Sequence, residues 1–132
     1  MTRFVISIVV LFVVSMLLGF AIHPILLGAD YASLPGLMRD PVDAQQHFGY
    51  MIAAHVLIAI GFTWIYVRGK ENKPWLGQGI RYGLAIAVVS TMPMYLIYHA
   101  VSPFPLDLAV KQIVYDTIGV VAMGIVVAAI NR

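Results

Sequence analysis

The feature that most constrains this chain is a set of four apolar runs, each about as long as a helix must be to cross a bilayer. At 1.5 Å per helical residue, about 20 apolar residues match the ~30 Å hydrocarbon core. The runs cover residues 4–22, 46–67, 74–100 and 106–130 to within a few positions, and a polar loop covers about 28–45. We predict an all-α fold, a polytopic membrane protein that forms one membrane domain over residues 1–132. Its four transmembrane helices are expected to form an up-down bundle.

Composition supports this prediction and excludes several classes of site. Hydrophobic residues make up 61% of the chain and charged residues 11%, and a soluble domain of 132 residues could not hide so much apolar surface. The absence of cysteine excludes disulfides, zinc–thiolate sites and cysteine nucleophiles. A net charge of +2 with dispersed basic residues gives no argument for nucleic acid. The lipid bilayer is the predicted environment.

The first run has a competing interpretation as a cleaved signal peptide, with cleavage near Ala29. The apolar region of a signal peptide is ~7–15 residues long, and this run is longer. Its basic head is Arg3 alone. We therefore expect a retained helix that ends near Pro24, because proline discourages continuation of a helix.

The distribution of basic residues predicts the orientation of the bundle. Short cytoplasmic loops carry an excess of lysine and arginine. The side that holds both termini and the loop between the second and third spans carries these basic residues: Arg3, Arg68, Lys70, Lys73, Arg81 and Arg132. The other side carries Arg39 and Lys111. We expect both termini in the cytoplasm of a bacterium, with the bundle in the inner membrane.

Two ionisable residues lie deepest in the predicted spans. His55 in the second span and Asp116 in the fourth are both roughly 13–15 Å below the outer surface, so the two side chains could form a hydrogen-bonded pair. Gln112 shares a helix face with Asp116, and Tyr95 lies on a stripe of the third span. These four residues are the predicted ligand or ion site. Four roles remain open for this site: a buried pair that fixes helix register, a proton or ion pathway, a metal or haem site, or a pocket for a lipid or quinone headgroup.

A second candidate site lies at the outer ends of the spans, where three histidines could ring the mouth of the bundle. Imidazole and carboxylate groups bind transition metals. The metal-site hypothesis comprises His23, His47, His99, Asp43 and Asp107. Histidines at the interface without a ligand are the competing interpretation, since polar residues are least costly there. A bis-histidine haem is disfavoured because His99 is too shallow to partner His55. Asp107 and Lys111, four residues apart, are expected to pair.

The third span contains a proline that should interrupt its hydrogen-bond ladder. Pro93 removes one backbone donor, so the sequence predicts a kink there, with Ser90 or Thr91 bonding a freed carbonyl. Transporters use such breaks for gating, but passive membrane helices contain them as well. Gly79 and Gly83 have the GxxxG spacing that allows two helices to pack closely, which is a weak indication of a helix contact.

Long segments of the chain resemble small bacterial four-helix membrane proteins of uncharacterised function. The segments are MRDPVDAQQHFGYMIAAHVLIAIGFTWIYVRG, RYGLAIAVVS and SPFPLDLAVKQIVYDTIGVVAMGIVVAAI. Two features carry the resemblance. The second span bears a histidine and ends in a Tyr-x-x-Gly turn, and a Pro-x-Pro turn precedes the last span. It extends from about Met38 onward and implies a four-helix fold in a bacterial inner membrane. It implies no activity and assigns no functional residue.

The sequence leaves three functions open. The first, which we favour, is a non-enzymatic accessory or binding subunit with a polar His/Asp core open to the outer face. It is expected to form a homo-oligomer or part of a larger membrane complex. The second is a small oligomeric proton-coupled or ion transporter that uses His55 and Asp116, and the third is a metal- or haem-binding redox component. No catalytic residue is predicted, because no serine has a nucleophile-elbow context and no acid pair has a convincing spacing.

Overall fold

Four helical spans that are long and apolar enough to cross a membrane run up and down through the protein, as the sequence predicts. The computed structural model describes all 132 residues and contains no strand. Its α-helices are α1 (Thr2–Phe20), α2 (Gly28–Ala32), α3 (Pro41–Gln46), α4 (Phe48–Gly69), α5 (Trp75–Val89), α6 (Thr91–Val101) and α7 (Leu106–Ile130). We name the end with both termini and the α4–α5 loop the terminal face, and the opposite end the histidine face.

The first span continues beyond the proline that was expected to end it. α1 passes into a π-helical turn over Ala21–Leu26, so the span covers Thr2–Leu26. The Leu27 amide donates to the carbonyl of Ile22, five residues earlier, at 2.9 Å. Pro24 has no amide hydrogen to donate, and the wider turn accommodates it without ending the helix. His23 consequently lies inside a helical turn.

The segment predicted as a loop contains two short helices. α2 follows the first span directly, and α3 is capped by the preceding Asp40, whose Oδ1 accepts from the amides of Val42 and Asp43 at 3.0 Å. Pro41 suits the first position of a helix because its missing donor is not needed there. α2 lies against the π-helical turn, which places Tyr31 beside His23.

The third span breaks at Ser90, three residues before Pro93. Ser90 adopts φ −120° and ψ −71° between α5 and α6, and its hydroxyl donates to the Ile86 carbonyl at 2.7 Å. The ring of Pro93 crowds the carbonyl four residues earlier, which accounts for a break on this side of the proline. The chain continues as a single span over Trp75–Val101.

α7 lies at the centre of the packing, in contact with α5, α6 and α1. The closest contact joins α5 to α7, where a Cβ on Gly83 would lie 2.6 Å from the Val121 Cα and one on Gly79 would lie 2.7 Å from the Gly124 carbonyl oxygen. Small residues allow membrane helices to approach this closely. The glycine spacing, a weak indication in the sequence, therefore marks the tightest helix contact.

α4 packs mainly on α1 and is not packed against α6. Near the terminal face it is tied to α5 by the Tyr82 hydroxyl, which donates to the Phe62 carbonyl at 2.5 Å. A buried apolar cluster fills this half of the bundle: Leu11, Ala59, Phe62, Tyr66, Met123, Val127 and Ala128. The half near the histidine face has a smaller apolar cluster and contains the polar groups described next.

Candidate ligand site near the histidine face

A chain of hydrogen bonds links α7 to α2 and to the π-helical turn. The Gln112 amide nitrogen donates to the Tyr31 hydroxyl at 2.8 Å, and this hydroxyl lies 2.7 Å from Nδ1 of His23. Since the hydroxyl accepts from Gln112, its own hydrogen is available to donate to Nδ1. That arrangement leaves the hydrogen of the His23 ring on Nε2.

Asp116 completes the chain from the opposite side. Its Oδ1 lies 3.6 Å from Nε2 of His23, and its Oδ2 accepts a hydrogen bond from the Tyr95 hydroxyl. His23, Tyr31, Gln112, Asp116 and Tyr95 therefore form one network drawn from four elements. We refer to these five residues as the polar network.

The Tyr31 hydroxyl is held in its neutral form. Burial raises the pKa of this phenol above its ordinary value of 10.0; the Gln112 hydrogen bond opposes the shift, and the Asp116 and Asp30 carboxylates add to it. Tyr31 therefore keeps the proton that it shares with His23 through the physiological pH range.

The polar network combines buried and accessible groups. Tyr95 is 7% exposed and Gln112 is 5% exposed, whereas the side chains of His23 and Asp116 are 35% and 18% exposed. The amide oxygen of Gln112 is buried without a hydrogen-bond partner. Buried acceptors in proteins are nearly always paired with protein or water. The network therefore offers one unsatisfied acceptor beside an imidazole and a carboxylate that can be reached from outside the protein.

His55 belongs to a neighbouring contact and not to a pair with Asp116. Its Nδ1 lies 2.9 Å from the Ser15 hydroxyl, which itself donates to the Phe12 carbonyl at 2.9 Å. The ring edge faces Gly19, where a Cβ would lie 3.5 Å from Cε1. The depth of His55 made a bond to Asp116 feasible, but α4 packs on α1, and the imidazole is therefore directed at α1. The predicted His55–Asp116 hydrogen bond is not formed.

Lys111 also has a different partner from the one expected. Its Nζ donates to Oδ1 of Asp30 on α2 at 2.6 Å, and Asp107 has no ion pair. The i,i+4 rule considers only one helix, whereas α2 brings a carboxylate closer from outside α7. This exposed ion pair lies at the edge of the polar network and ties α2 to α7.

The five residues of the metal-site hypothesis do not form one group, and only His47 and Asp43 are in contact, with Nδ1 3.3 Å from Oδ1. Nδ1 of His47 lies 2.8 Å from the Asp43 carbonyl oxygen, and Asp43 pairs with Arg39 at 2.7 Å. Nδ1 of His99 lies 2.5 Å from the Phe104 carbonyl oxygen. No three histidine or acidic side chains converge on one point that a metal ion could occupy. Each outer histidine instead bonds groups of its own neighbourhood, and His23 alone joins the polar network.

Two contributors to the site were missed in the sequence. The role of Tyr31 depends on α2, whose short helix interrupts a stretch that is polar overall, and the sequence alone offered no signal for it. Ser15 is a polar residue within an apolar span, and its position one turn before Gly19 places it on the face that receives His55. That placement was the available signal for Ser15.

The fold and the site together define a four-helix membrane protein with a hydrogen-bonded polar network in one half of its bundle and an apolar core in the other. The chain belongs to the family described as Protein of unknown function (DUF1761), whose family model matches residues 6–128. No curated protein and no solved structure matches the chain.

Proposed function

We propose that this protein is a non-enzymatic membrane binding subunit that holds a small ligand with a hydrogen-bonding head at the polar network. The observation that carries the proposal is the buried, unpaired amide oxygen of Gln112 beside the accessible His23 and Asp116. A ligand group that donates to this oxygen and also bonds the carboxylate or the imidazole would satisfy the unpaired acceptor and be held at a second point. Pockets that bind small molecules combine a few such polar groups with apolar walls.

The groups around the network are suited to a lipophilic ligand. Intramembrane ionisable residues are costly and tend to mark functional sites. α4 packs mainly on α1 and is not packed against α6, so these two helices do not close this half of the bundle against each other. The proposed ligand therefore enters from the histidine face or from the bilayer, with its polar head at Asp116 and its apolar part among the helices.

Identification of co-purifying small molecules tests the proposal. The full chain would be purified in mild detergent, and bound molecules would be detected by native mass spectrometry and solvent extraction. We expect a stoichiometric molecule on the wild type that is lost in Asp116→Asn. Asp107→Asn is the matched control, because this exposed carboxylate on the same helix has no ion pair. Equal retention in Asp116→Asn, or a wild type that carries no molecule, contradicts the proposal.

The transport alternative has a specific observation for it and one against it. The side chains of Tyr31, His23, Asp116 and Tyr95 follow one another in space, and this succession is suitable for local proton transfer. The apolar cluster in the terminal half, however, offers no continuation toward the other face. Proton flux through liposomes that contain pure protein, abolished by Asp116→Asn, would favour transport over binding.

We further propose that both termini are cytoplasmic in a bacterial inner membrane, on the strength of the basic residues at the terminal face. Because the chain has no cysteine, single substitutions can be labelled without background. Asn72→Cys in the α4–α5 loop should resist a membrane-impermeant maleimide in intact spheroplasts, and Val42→Cys should react. The reverse pattern would invert the orientation.

Assembly into a homo-oligomer or a larger membrane complex is part of the same proposal. Many large apolar side chains remain exposed on the single chain, including Leu57 at 70% and Ile118 at 63%. Lipid or another protein must cover these faces. The mass of the detergent-extracted native complex tells whether protein or lipid covers these faces. A protein mass equal to one chain would contradict assembly.

A further inference from the structure

The terminal face contains two adjoining clefts that neither the polar network nor the proposed ligand uses. Their volumes are about 350 and 460 Å³, within the range of small-molecule sites. Both are lined by Tyr66, Lys70, Glu71, Lys73 and Gln78. They lie where the end of α4, the start of α5 and the end of α7 meet, at the level of the membrane surface.

The α4–α5 loop that forms the wall of these clefts is held in one conformation. The Gln78 amide nitrogen donates to the carbonyls of Glu71 and Lys73, and its oxygen accepts from the Glu71 amide, all at 2.7 Å. Lys70 donates to the Asn131 carbonyl at 3.0 Å, which fixes the loop to the end of α7. The positions of the lysines are therefore set before any ligand arrives.

The charge of the clefts is positive. Lys70, Lys73 and Arg81 line the first cleft with Glu71 as the single acid, and Glu71 is already paired with Lys73. Arg81 has no ion pair, and its side chain makes one hydrogen bond, from Nε to the Gly77 carbonyl at 3.3 Å. Lys70 and Arg81 thus present positive charge without a carboxylate partner.

The start of α5 adds backbone donors to the same place. Pro74 and Trp75 line the second cleft, and the first turn of α5 has neither a side-chain cap nor an acidic residue. The amides of a first helical turn have no partner within the helix and favour a negative group. Aromatic side chains at the clefts are typical of the headgroup region of a bilayer.

We propose that these clefts bind a phosphate group, supplied by the headgroup of an anionic phospholipid such as phosphatidylglycerol. Lys70 and Arg81 would contact the phosphate, and basic pockets between membrane helices have the charge to hold such headgroups. The proposal does not depend on the polar network, which lies in the other half of the bundle.

Titration of the purified full chain in neutral detergent tests the proposal. Short-chain phosphatidylglycerol and short-chain phosphatidylcholine would be compared by native mass spectrometry and by the midpoint of thermal unfolding. At about 1 kcal/mol per basic residue, Lys70→Gln with Arg81→Gln should weaken phosphatidylglycerol binding about 30-fold. Arg68→Gln is the matched control, because this arginine lies over the Trp64 ring at the same end and does not line either cleft.

Selective binding of phosphatidylglycerol that survives Arg68→Gln and is lost in the double variant supports the proposal. Competition by inorganic phosphate would show that phosphate alone suffices, and its failure to compete would assign the site to the intact lipid. Equal binding of both lipids, or an equal loss in Arg68→Gln, would overturn the proposal. If the double variant does not fold, the exposed Arg81→Gln alone provides the measurement, with an expected loss of about fivefold.

Discussion

The Tyr95 hydroxyl on α6 donates a hydrogen bond to the Asp116 carboxylate on α7, and this bond ties the helix beyond the Ser90 break to the centre of the bundle. Without it, the Asp116 carboxylate would retain the His23 imidazole, at 3.6 Å, as its nearest polar partner. The pair therefore joins a structural role to the proposed binding site.

A double-mutant cycle should detect this bond. Tyr95→Phe and Asp116→Ala, which removes the acceptor, are each expected to destabilise the protein, with a coupling free energy of about 1 kcal/mol, the scale of hydrogen bonds between membrane helices. The free energy of unfolding in mixed micelles is the measurement. Tyr98→Phe is the control, since Tyr98 is 51% exposed on the same helix. The bond would be contradicted if the coupling free energy between Tyr95 and Asp116 were no larger than that between Tyr98 and Asp116.

His55 is expected to act independently of Asp116. Because its ring bonds Ser15, the cycle between His55→Ala and Asp116→Ala should give a coupling below about 0.5 kcal/mol, whereas His55→Ala with Ser15→Ala should give a larger value. The same unfolding measurement applies. Strong coupling to Asp116 would restore the pair that the sequence suggested.

The glycine contact between α5 and α7 should be intolerant of even one methyl group. Gly83→Ala places a Cβ 2.6 Å from backbone atoms of α7, which cannot move aside as a flexible side chain could. We expect a loss of about 1–3 kcal/mol or more in the free energy of unfolding.

Gly61→Ala provides the matched control for that contact. No atom lies within 4 Å of a Cβ at this glycine, which is also in the middle of a helix. Alanine there should be neutral or stabilise by up to about 1 kcal/mol. Similar losses at Gly61 and Gly83 would show that helix packing is not the cause.

The α4–α5 loop should show a pH signature at Glu71. The hydrogen bond and charge of Lys73 hold the pKa of Glu71 below its ordinary value of 4.5. Since the folded pKa lies below the unfolded one, the pair stabilises the folded state above about pH 4.5, and the contribution is lost as pH falls through the folded pKa. A carboxyl ¹³C titration by NMR should show the pKa returning toward 4.5 in Lys73→Gln. An unchanged pKa would contradict the pair.

The position of a residue along a helical span could be predicted from the sequence, but its direction around the helix could not. Counting residues from a span end places His55 and Asp116, because the rise per residue is fixed. The rotation of each helix depends on packing between helices, such as the Gly83 contact, and this turned His55 toward Ser15. Lys111 shows the same limit, since its partner Asp30 is 81 residues away in the chain.

The packing of α4 mainly on α1 has a consequence for how the protein could adapt to ligands of different size. The glycine contact holds α5 and α7 close together, whereas α4 is tied to α5 only near the terminal face, by the Tyr82–Phe62 hydrogen bond, and is not packed against α6. We therefore expect the half of α4 near the histidine face to move when a ligand binds at the polar network. A bulkier ligand should increase the separation between spin labels on α4 and α6 while leaving the α5–α7 distance unchanged.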